Sequence, residues 1–367
     1  MKGVLLKTKL YIPRPRHGVV GRARLLTRLG EGLIHGRPLS LISAPAGYGK
    51  TTLVANWFER VDRAQAWLSL DENDNDPVRF FSYLVAALQT VDQNIGIEAT
   101  RLLSGSSMLA GQAVVVTLIN EIMVTQEPFV LVLDDFHVIR QESIFQIVQA
   151  LLDYQPPSMH LVIITREDPP LSLPRFRVRN QMTEIRMDDL RFDFAETGDF
   201  LATSVEVKLK GEDILALEER TEGWIAGLQL ASLSIKGLAV HQVGDFIKVF
   251  SGNHRYIIDY LMEEVVKSTD LEMQLFLTRT AVVDRFNAEL GDELTGQSNS
   301  KLIIKKLEQA NLFLIPLDSE RQWYRYHHLF GEFLKTELTR SELLTIRHKA
   351  ALWFSSHDLT RRVLNMP

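Results

Sequence analysis

The sequence contains no cysteine among its 367 residues, which excludes disulfide bonds and thiolate metal sites. It also has no uninterrupted apolar stretch approaching the roughly 18 residues needed to span a membrane. Its first residues lack the long apolar centre of a signal peptide. These absences fit a reducing compartment, so we expect a cytoplasmic protein that does not interact with membranes.

The chain also lacks an excess of basic charge, because 46 acidic residues outnumber 41 lysines and arginines and give a net charge of -5. Proteins that bind nucleic acid through phosphate contacts usually carry a clear basic excess. Residues 266–340 contain ten basic and eleven acidic side chains. We therefore expect no sequence-specific DNA binding by this chain alone.

The hydrophobic content of 46% is that of a folded protein, and the length predicts two or three domains.

The most informative feature that is present is a phosphate-binding loop. A short, mostly apolar run at residues 39–42 predicts a buried strand, and residues 53–58 have a helix-like composition. The loop between them opens with Ala44, where the usual pattern has glycine, and ends in Gly49, Lys50 and Thr51. Loop amides and the helix N-terminus would face phosphates, Lys50 would reach the β- and γ-phosphates, and Thr51 would bind Mg²⁺. We therefore predict a nucleoside triphosphate site with these binding residues: Ala46, Gly47, Tyr48, Gly49, Lys50, Thr51 and Thr52.

The rest of the chain alternates strand and helix patterns before it becomes helical. Apolar runs at residues 66–70, 129–133 and 161–164 are separated by segments of helical spacing. This order favours an α/β fold with a doubly wound parallel sheet. Strand signals fade after about residue 194, and a hairpin pattern at residues 313–326 lies among helices, as in a winged-helix domain.

These patterns predict five segments. Residues 1–17 are expected to form an extended surface arm with several basic side chains. The other four segments are a P-loop nucleotide-binding domain (18–194), a helical domain (195–265), a winged-helix domain (266–340) and the start of a helical-repeat region (341–367).

Three charged residues at predicted strand ends suggest chemistry opposite the loop. Asp134 is expected to hold Mg²⁺ with Thr51, and Asp135 to polarise an attacking water. The alternative is an acidic strand exit of the kind common on surfaces. Arg166 ends the next strand, and it would face the γ-phosphate if that strand inserts between those of Lys50 and Asp134. Its alternative is a surface arginine paired with a neighbouring acid.

The sequence resembles the nucleotide-binding half of MalT-type bacterial transcription activators, the large LuxR-class regulators among the signalling NTPases called STAND proteins. The resemblance extends in family order from residue 4 to about residue 355. It is carried by the stretches Ser43–Leu53, Trp67–Asp74, Leu131–His137, Arg175–Arg179, Gly223–Leu230 and Trp323–Phe330.

The resemblance implies additional binding residues and identifies the nucleotide as ATP or ADP. Val20, Gly21 and Arg22 match the segment that flanks adenine, with a plain turn before a helix as the alternative. His327 matches the winged-helix histidine that contacts the ADP phosphate in the resting state, with a buried structural histidine as the alternative. Trp224 lies where relatives carry a helical segment with a proline near the base, but Ile225 and Ala226 follow it here, so we interpret Trp224 as a core residue.

The resemblance also implies a regulatory switch that ADP closes and that ATP opens for self-association, with slow hydrolysis. The sensor repeats and the DNA-binding domain of such regulators are expected to lie outside these 367 residues, so DNA would be bound only through that missing domain. Two alternatives stay open: a P-loop ATPase motor, which would turn over faster, and an interaction module that holds no nucleotide.

Overall fold

The computed structural model describes residues 5–14, 19–105, 111–125, 127–205, 209–236, 238, 240–266 and 269–357. The chain forms two compact units, one of Met1–Ala44 and Tyr48–Leu190, the other of Pro45–Gly47 and Arg191–Pro367. Parts of the predicted arm and of the predicted terminal segment lie outside the described residues. The finer domain boundaries stay predictions.

The first unit is built on a parallel sheet. Its strand order is β2-β3-β4-β1-β5, and each neighbouring pair is parallel. The strands are β1 (Leu39–Ser43), β2 (Ala64–Ser69), β3 (Phe129–Asp134), β4 (Met159–Thr165) and β5 (Met182–Arg186). All residues of β1, β3 and β4 are buried. A sheet covered on both faces explains why β3 is a continuous apolar run and why β1 and β4 are mostly apolar.

Helices connect the strands of this sheet, as the alternating pattern predicted. They are α1 (Ala23–Ile34), α2 (Lys50–Phe58), α3 (Pro77–Leu88), α4 (Ile97–Gly105), α5 (Gly111–Val124), α6 (Glu142–Asp153), α7 (Leu173–Val178) and α8 (Met187–Leu190). Local signals define their ends. At α3, Asp76 accepts a hydrogen bond from the Arg79 amide at 2.7 Å, and Pro77 occupies the first helical position. The predicted α/β fold is confirmed.

The N-terminal segment differs from the extended arm expected for it. Lys7–Leu10 forms a 3-10 turn, and Lys9 is only 6% exposed. The Lys9 ammonium forms ion pairs with Asp74, which is fully buried, and with Asp71 at 3.0 Å. Because a buried ammonium is tolerated only with such partners, this pairing fixes the segment against the first unit.

The second unit is mainly helical. Its helices are α9 (Phe194–Ser204), α10 (Gly211–Thr221), α11 (Ile225–Ile235), α12 (Val240–Val249), α13 (Arg255–Glu264), α14 (Leu271–Thr280), α15 (Ala288–Thr295), α16 (Ser300–Gln309), α17 (His328–Thr336) and α18 (Arg340–Ser356). Its interior contains several large aromatic side chains among aliphatic ones, and Trp224, Phe250, Phe276 and Phe286 are fully buried.

The predicted hairpin is present between α16 and α17. Strand β6 (Leu314–Pro316) pairs antiparallel with β7 (Tyr324–Tyr326), and Leu314 lies opposite Tyr326. The helices α14 to α17 and this hairpin make up the winged-helix arrangement that the sequence pattern indicated. In the part of the chain described here, no helix is both long and apolar enough to cross a membrane.

Candidate nucleotide site

The predicted phosphate loop connects β1 to α2. Strand β1 ends at Ser43 and α2 begins at Lys50, so the strand, loop and helix expected around such a loop are all present. Gly47 and Gly49 have φ values of 80° and 72°, in a backbone region that residues other than glycine rarely adopt. Gly49 is the residue before the helix, and its conformation turns the chain into the first turn of α2.

The two side chains expected to contact phosphates and metal begin α2. Lys50 is only 8% exposed, and its ammonium donates a hydrogen bond to the Ala44 carbonyl at 2.8 Å. The Thr51 hydroxyl donates to a carboxylate oxygen of Asp134 at 3.1 Å. The loop is therefore joined to the end of β3, which is separated from β1 in the sheet by β4.

Asp134 and Asp135 differ strongly in environment. Asp134 is 3% exposed, and burial, followed by the nearby Asp135 carboxylate, raises its pKa to about 7. Asp135 begins the turn after β3 with φ of 55°, and its side chain is about half exposed. One carboxylate is thus held beside the Thr51 hydroxyl, and the other lies at the surface where a water can reach it.

Arg166 directly follows β4. Strand β4 lies between β1 and β3, the position that an Arg166 facing the γ-phosphate requires. Thr165, the last residue of β4, is paired with Ser43, the last residue of β1. The positive charges of Arg166 and Lys50 both act on His137, whose pKa is lowered to about 3 by burial first and by these two cations next. Lys50, Arg166 and the carboxylates therefore belong to one charged cluster in the first unit.

His137 is a member of this cluster that residue-by-residue sequence reasoning did not single out. Its side chain is 16% exposed, and its Nδ1 lies 3.8 Å from an Asp135 carboxylate oxygen. It lies only two residues after Asp135 and ends the stretch Leu131–His137 that carries the resemblance, and these are the signals in the sequence that point to it.

Val20, Gly21 and Arg22 precede α1. Arg22 is 6% exposed, and its guanidinium donates to the backbone carbonyls of Leu190 at 3.0 Å and Asp189 at 3.1 Å. These bonds anchor the segment to α8. Contact of these three residues with adenine stays a prediction.

In the second unit, the loop residues Pro45–Gly47 contact the start of α11. The Trp224 indole donates to the Ala46 carbonyl at 3.0 Å, and the Ala226 amide donates to the Gly47 carbonyl, also at 3.0 Å. Trp224 is fully buried, as its interpretation as a core residue predicted, but it also forms a polar contact that sequence reasoning missed.

His327 lies beside this tryptophan. Its ring centroid is 5.8 Å from that of Trp224, and only 1% of the residue is exposed. Its Nε2 donates to the Thr221 carbonyl at 2.8 Å. Burial lowers its pKa to about 4 although the neighbouring Glu222 carboxylate opposes this. Among the described residues, its Nδ1 has no hydrogen-bond partner.

Comparison with known proteins agrees with this architecture. Residues 18–164 match the AAA ATPase domain, and residues 262–345 match the MalT winged helix domain. The chain is 33% identical over 352 residues to the HTH-type transcriptional regulator MalT of Yersinia enterocolitica and 33% identical over 334 residues to that of Vibrio cholerae. These alignments cover 95% and 90% of this chain but 38% and 36% of the relatives, so it spans little more than a third of their length.

A solved structure shares the fold. The Walker-type ATPase of Pyrococcus abyssi superposes with a TM-score of 0.58 over 88% of this chain and 98% of that protein, at 14% sequence identity. The P-loop ATPase fold and the resemblance to MalT-type regulators, both expected from the sequence, are confirmed.

Proposed function

We propose that this MalT-like chain is the nucleotide-binding switch module of a transcription regulator. The observation that carries the proposal is the hydrogen bond between Thr51 and Asp134, beside the buried Lys50. A hydroxyl and a carboxylate joined in this way, next to a lysine at a helix N-terminus, fit a nucleoside triphosphate and its cation.

The donor set also fits Mg²⁺, which prefers oxygen ligands. Burial raises the pKa of the Asp134 carboxyl, and a divalent cation beside it would favour the ionised form. No cluster of three or more histidine, aspartate or glutamate side chains suited to a metal occurs within the described ranges. Thr51 and Asp134 would therefore hold the ion together with water and phosphate oxygens, and the ion would offset the negative charge of the phosphates.

The chain's own residues then have distinct tasks. Lys50 binds the β- and γ-phosphates, and the amides of residues 46–52 surround them. Asp135 orients a water and accepts a proton from it, and a side chain shorter than glutamate is consistent with slow turnover. Arg166 contacts the γ-phosphate and so distinguishes ATP from ADP.

His327 would bind the ADP phosphate, as the resemblance to MalT-type regulators implies. Its Nε2–H donates a hydrogen bond to the Thr221 carbonyl, so Nδ1 can donate one only after the ring gains a second proton. A ligand that binds one state better shifts the equilibrium toward it, and ADP and ATP would in this way favour a closed and an open state. The open state would self-associate, and DNA would be bound by a different part of a longer cytoplasmic regulator.

Denaturing the purified protein and identifying the released nucleotide tests the proposal. We expect ADP or ATP from the parent and none from Lys50→Ala, together with slow ATP turnover by the parent. A parent protein that neither contains nor binds ATP or ADP would refute the proposal. Rapid turnover would instead support a motor.

A further inference from the structure

The phosphate loop contacts the start of α11. Two consecutive loop carbonyls accept hydrogen bonds there: Ala46 from the indole of Trp224, the residue before α11, and Gly47 from the Ala226 amide, both at 3.0 Å. The Ala226 amide is one of the first N–H groups of a helix, which have no partner inside the helix. These residues all belong to the second unit.

Fixing these carbonyls also fixes the amides that face the opposite way. In a planar trans peptide the N–H points away from the C=O. The Ala46 carbonyl shares its peptide with the Gly47 amide, and the Gly47 carbonyl shares its peptide with the Tyr48 amide. Those two amides belong to the loop that we propose surrounds the phosphates. The donors from α11 therefore orient phosphate-binding amides without touching phosphate themselves.

Glycines on both sides of Trp224 make the contact possible. Gly223 has φ of 68°, and a Cβ there would lie 2.3 Å from the Phe192 carbonyl oxygen. A Cβ on Gly227 would lie 2.7 Å from Trp224 Cε3, so a larger residue would displace the indole. On the loop side, a Cβ on Gly47 would lie 2.7 Å from the indole nitrogen. The spacing of these glycines is thus matched to an indole that lies against the loop.

Packing alone does not require the indole nitrogen. The Trp224 ring makes edge contacts with Tyr260 and Phe313 at centroid distances of 5.5 and 5.4 Å, and an apolar ring could make these too. Its N–H is the single polar atom of a fully buried side chain, and it is directed at the Ala46 carbonyl.

We infer that Trp224 is a positioning residue for nucleotide binding: its indole N–H, with the Ala226 amide, holds the phosphate loop so that its amides face the phosphates. The inference rests on the proposed nucleotide-binding function. It assigns to α11 a role in phosphate affinity rather than in recognition of the base.

Trp224→Phe tests this inference because it keeps an aromatic ring and removes the N–H. We expect affinities for ADP and for inorganic triphosphate, measured by calorimetry, to fall by about tenfold, the effect of one buried acceptor losing its donor. Trp67→Phe is the matched control, because it also removes a buried indole N–H, which donates to the Ser69 hydroxyl at 2.9 Å. It should change neither affinity by more than about twofold.

A second variant, Gly227→Ala, retains the indole but displaces it, and we expect a similar loss for both ligands. It decides the question if Trp224→Phe does not fold. Parental affinity for inorganic triphosphate in a folded variant would overturn the inference while nucleotide binding stands. A loss confined to ADP would also overturn it, since that result indicates a contact to the base. A parent that binds neither ligand would refute the proposed function and this inference together.

Discussion

The contribution of His327 to ADP binding should depend on pH. The structure gives the His327 imidazole a pKa of about 4, set first by burial, with Glu222 opposing the shift and Arg191 and Arg325 adding to it. At pH 7.5 the ring is neutral, with its hydrogen on Nε2 and donated to Thr221. A phosphate oxygen near Nδ1 would then meet a lone pair, which cannot donate a hydrogen bond.

The size of the effect follows from two free energies. Protonating a group of pKa 4 at pH 7.5 costs about 5 kcal/mol, at 1.36 kcal/mol per pH unit. A charge-assisted hydrogen bond from the protonated ring to phosphate contributes about 1.5–3 kcal/mol. It therefore raises the pKa of His327 in the ADP complex to about 5–6. Because the pKa is raised by binding, affinity increases as pH falls through the bound-state value and levels off below the free-state value. ADP should therefore bind about two- to tenfold more tightly at pH 5 than at pH 8.

Calorimetric titration of ADP at several pH values checks this, with His327→Gln as the control. Glutamine donates a hydrogen bond without taking up a proton, so the part of the pH dependence due to His327 should disappear in that variant. Other titrating groups, such as Asp134 and the phosphates, are the same in both proteins. Equal pH dependence in the parent and in His327→Gln would refute a protonated His327 in the ADP complex.

Three other predictions follow from single contacts. Lys50→Ala should abolish ATP and ADP binding in calorimetry while leaving the circular dichroism spectrum unchanged; retained affinity would contradict the assigned role. Asp135→Asn should bind ATP normally, because asparagine tolerates the left-handed backbone at φ of 55°. It should hydrolyse ATP more slowly in a phosphate-release assay, because it lacks the carboxylate that we propose accepts a proton from the water. Glu222→Gln should lower the free energy of unfolding in urea by about 2 kcal/mol at pH 7. Burial by itself would raise the pKa of Glu222, but favourable interactions, above all hydrogen bonds from Arg325, lower this pKa to about 2. That stability is present above the unfolded pKa of about 4.5 and is lost as pH falls toward 2, so a parent–variant difference that persists undiminished at pH 3 would contradict the assignment.

The sheet was predictable because its signal is local. Strands β1, β3 and β4 are buried on both faces, so each is mostly apolar, a pattern that is visible without its neighbours. The position of β4 between β1 and β3 was stated only as a condition for the role of Arg166, and the structure meets it. The loop residues were identified for the same reason, since their spacing within a few positions carries the chemistry.

Within the N-terminal segment, the burial of Lys9 was not predictable because it depends on a distant partner. Prolines and basic side chains favour an exposed, extended chain when considered by themselves. Lys9 is instead paired with Asp74, 65 residues away, and the ammonium is buried there. The order of residues along the chain does not reveal which of the 46 acidic residues will form an ion pair with the Lys9 ammonium.

Trp224 shows the same limit at a candidate functional residue. Its burial follows from residue type, since a large aromatic side chain in an apolar helical segment usually enters the core. Its polar role depends on Ala46, 178 positions earlier, and no periodicity connects the two. The glycines one residue before and three residues after it did contain information, because each excludes a Cβ from space that the turn or the indole occupies. A buried tryptophan whose neighbours are restricted in this way has its ring orientation fixed as well as its depth. The direction of its single N–H is then the property to examine for function.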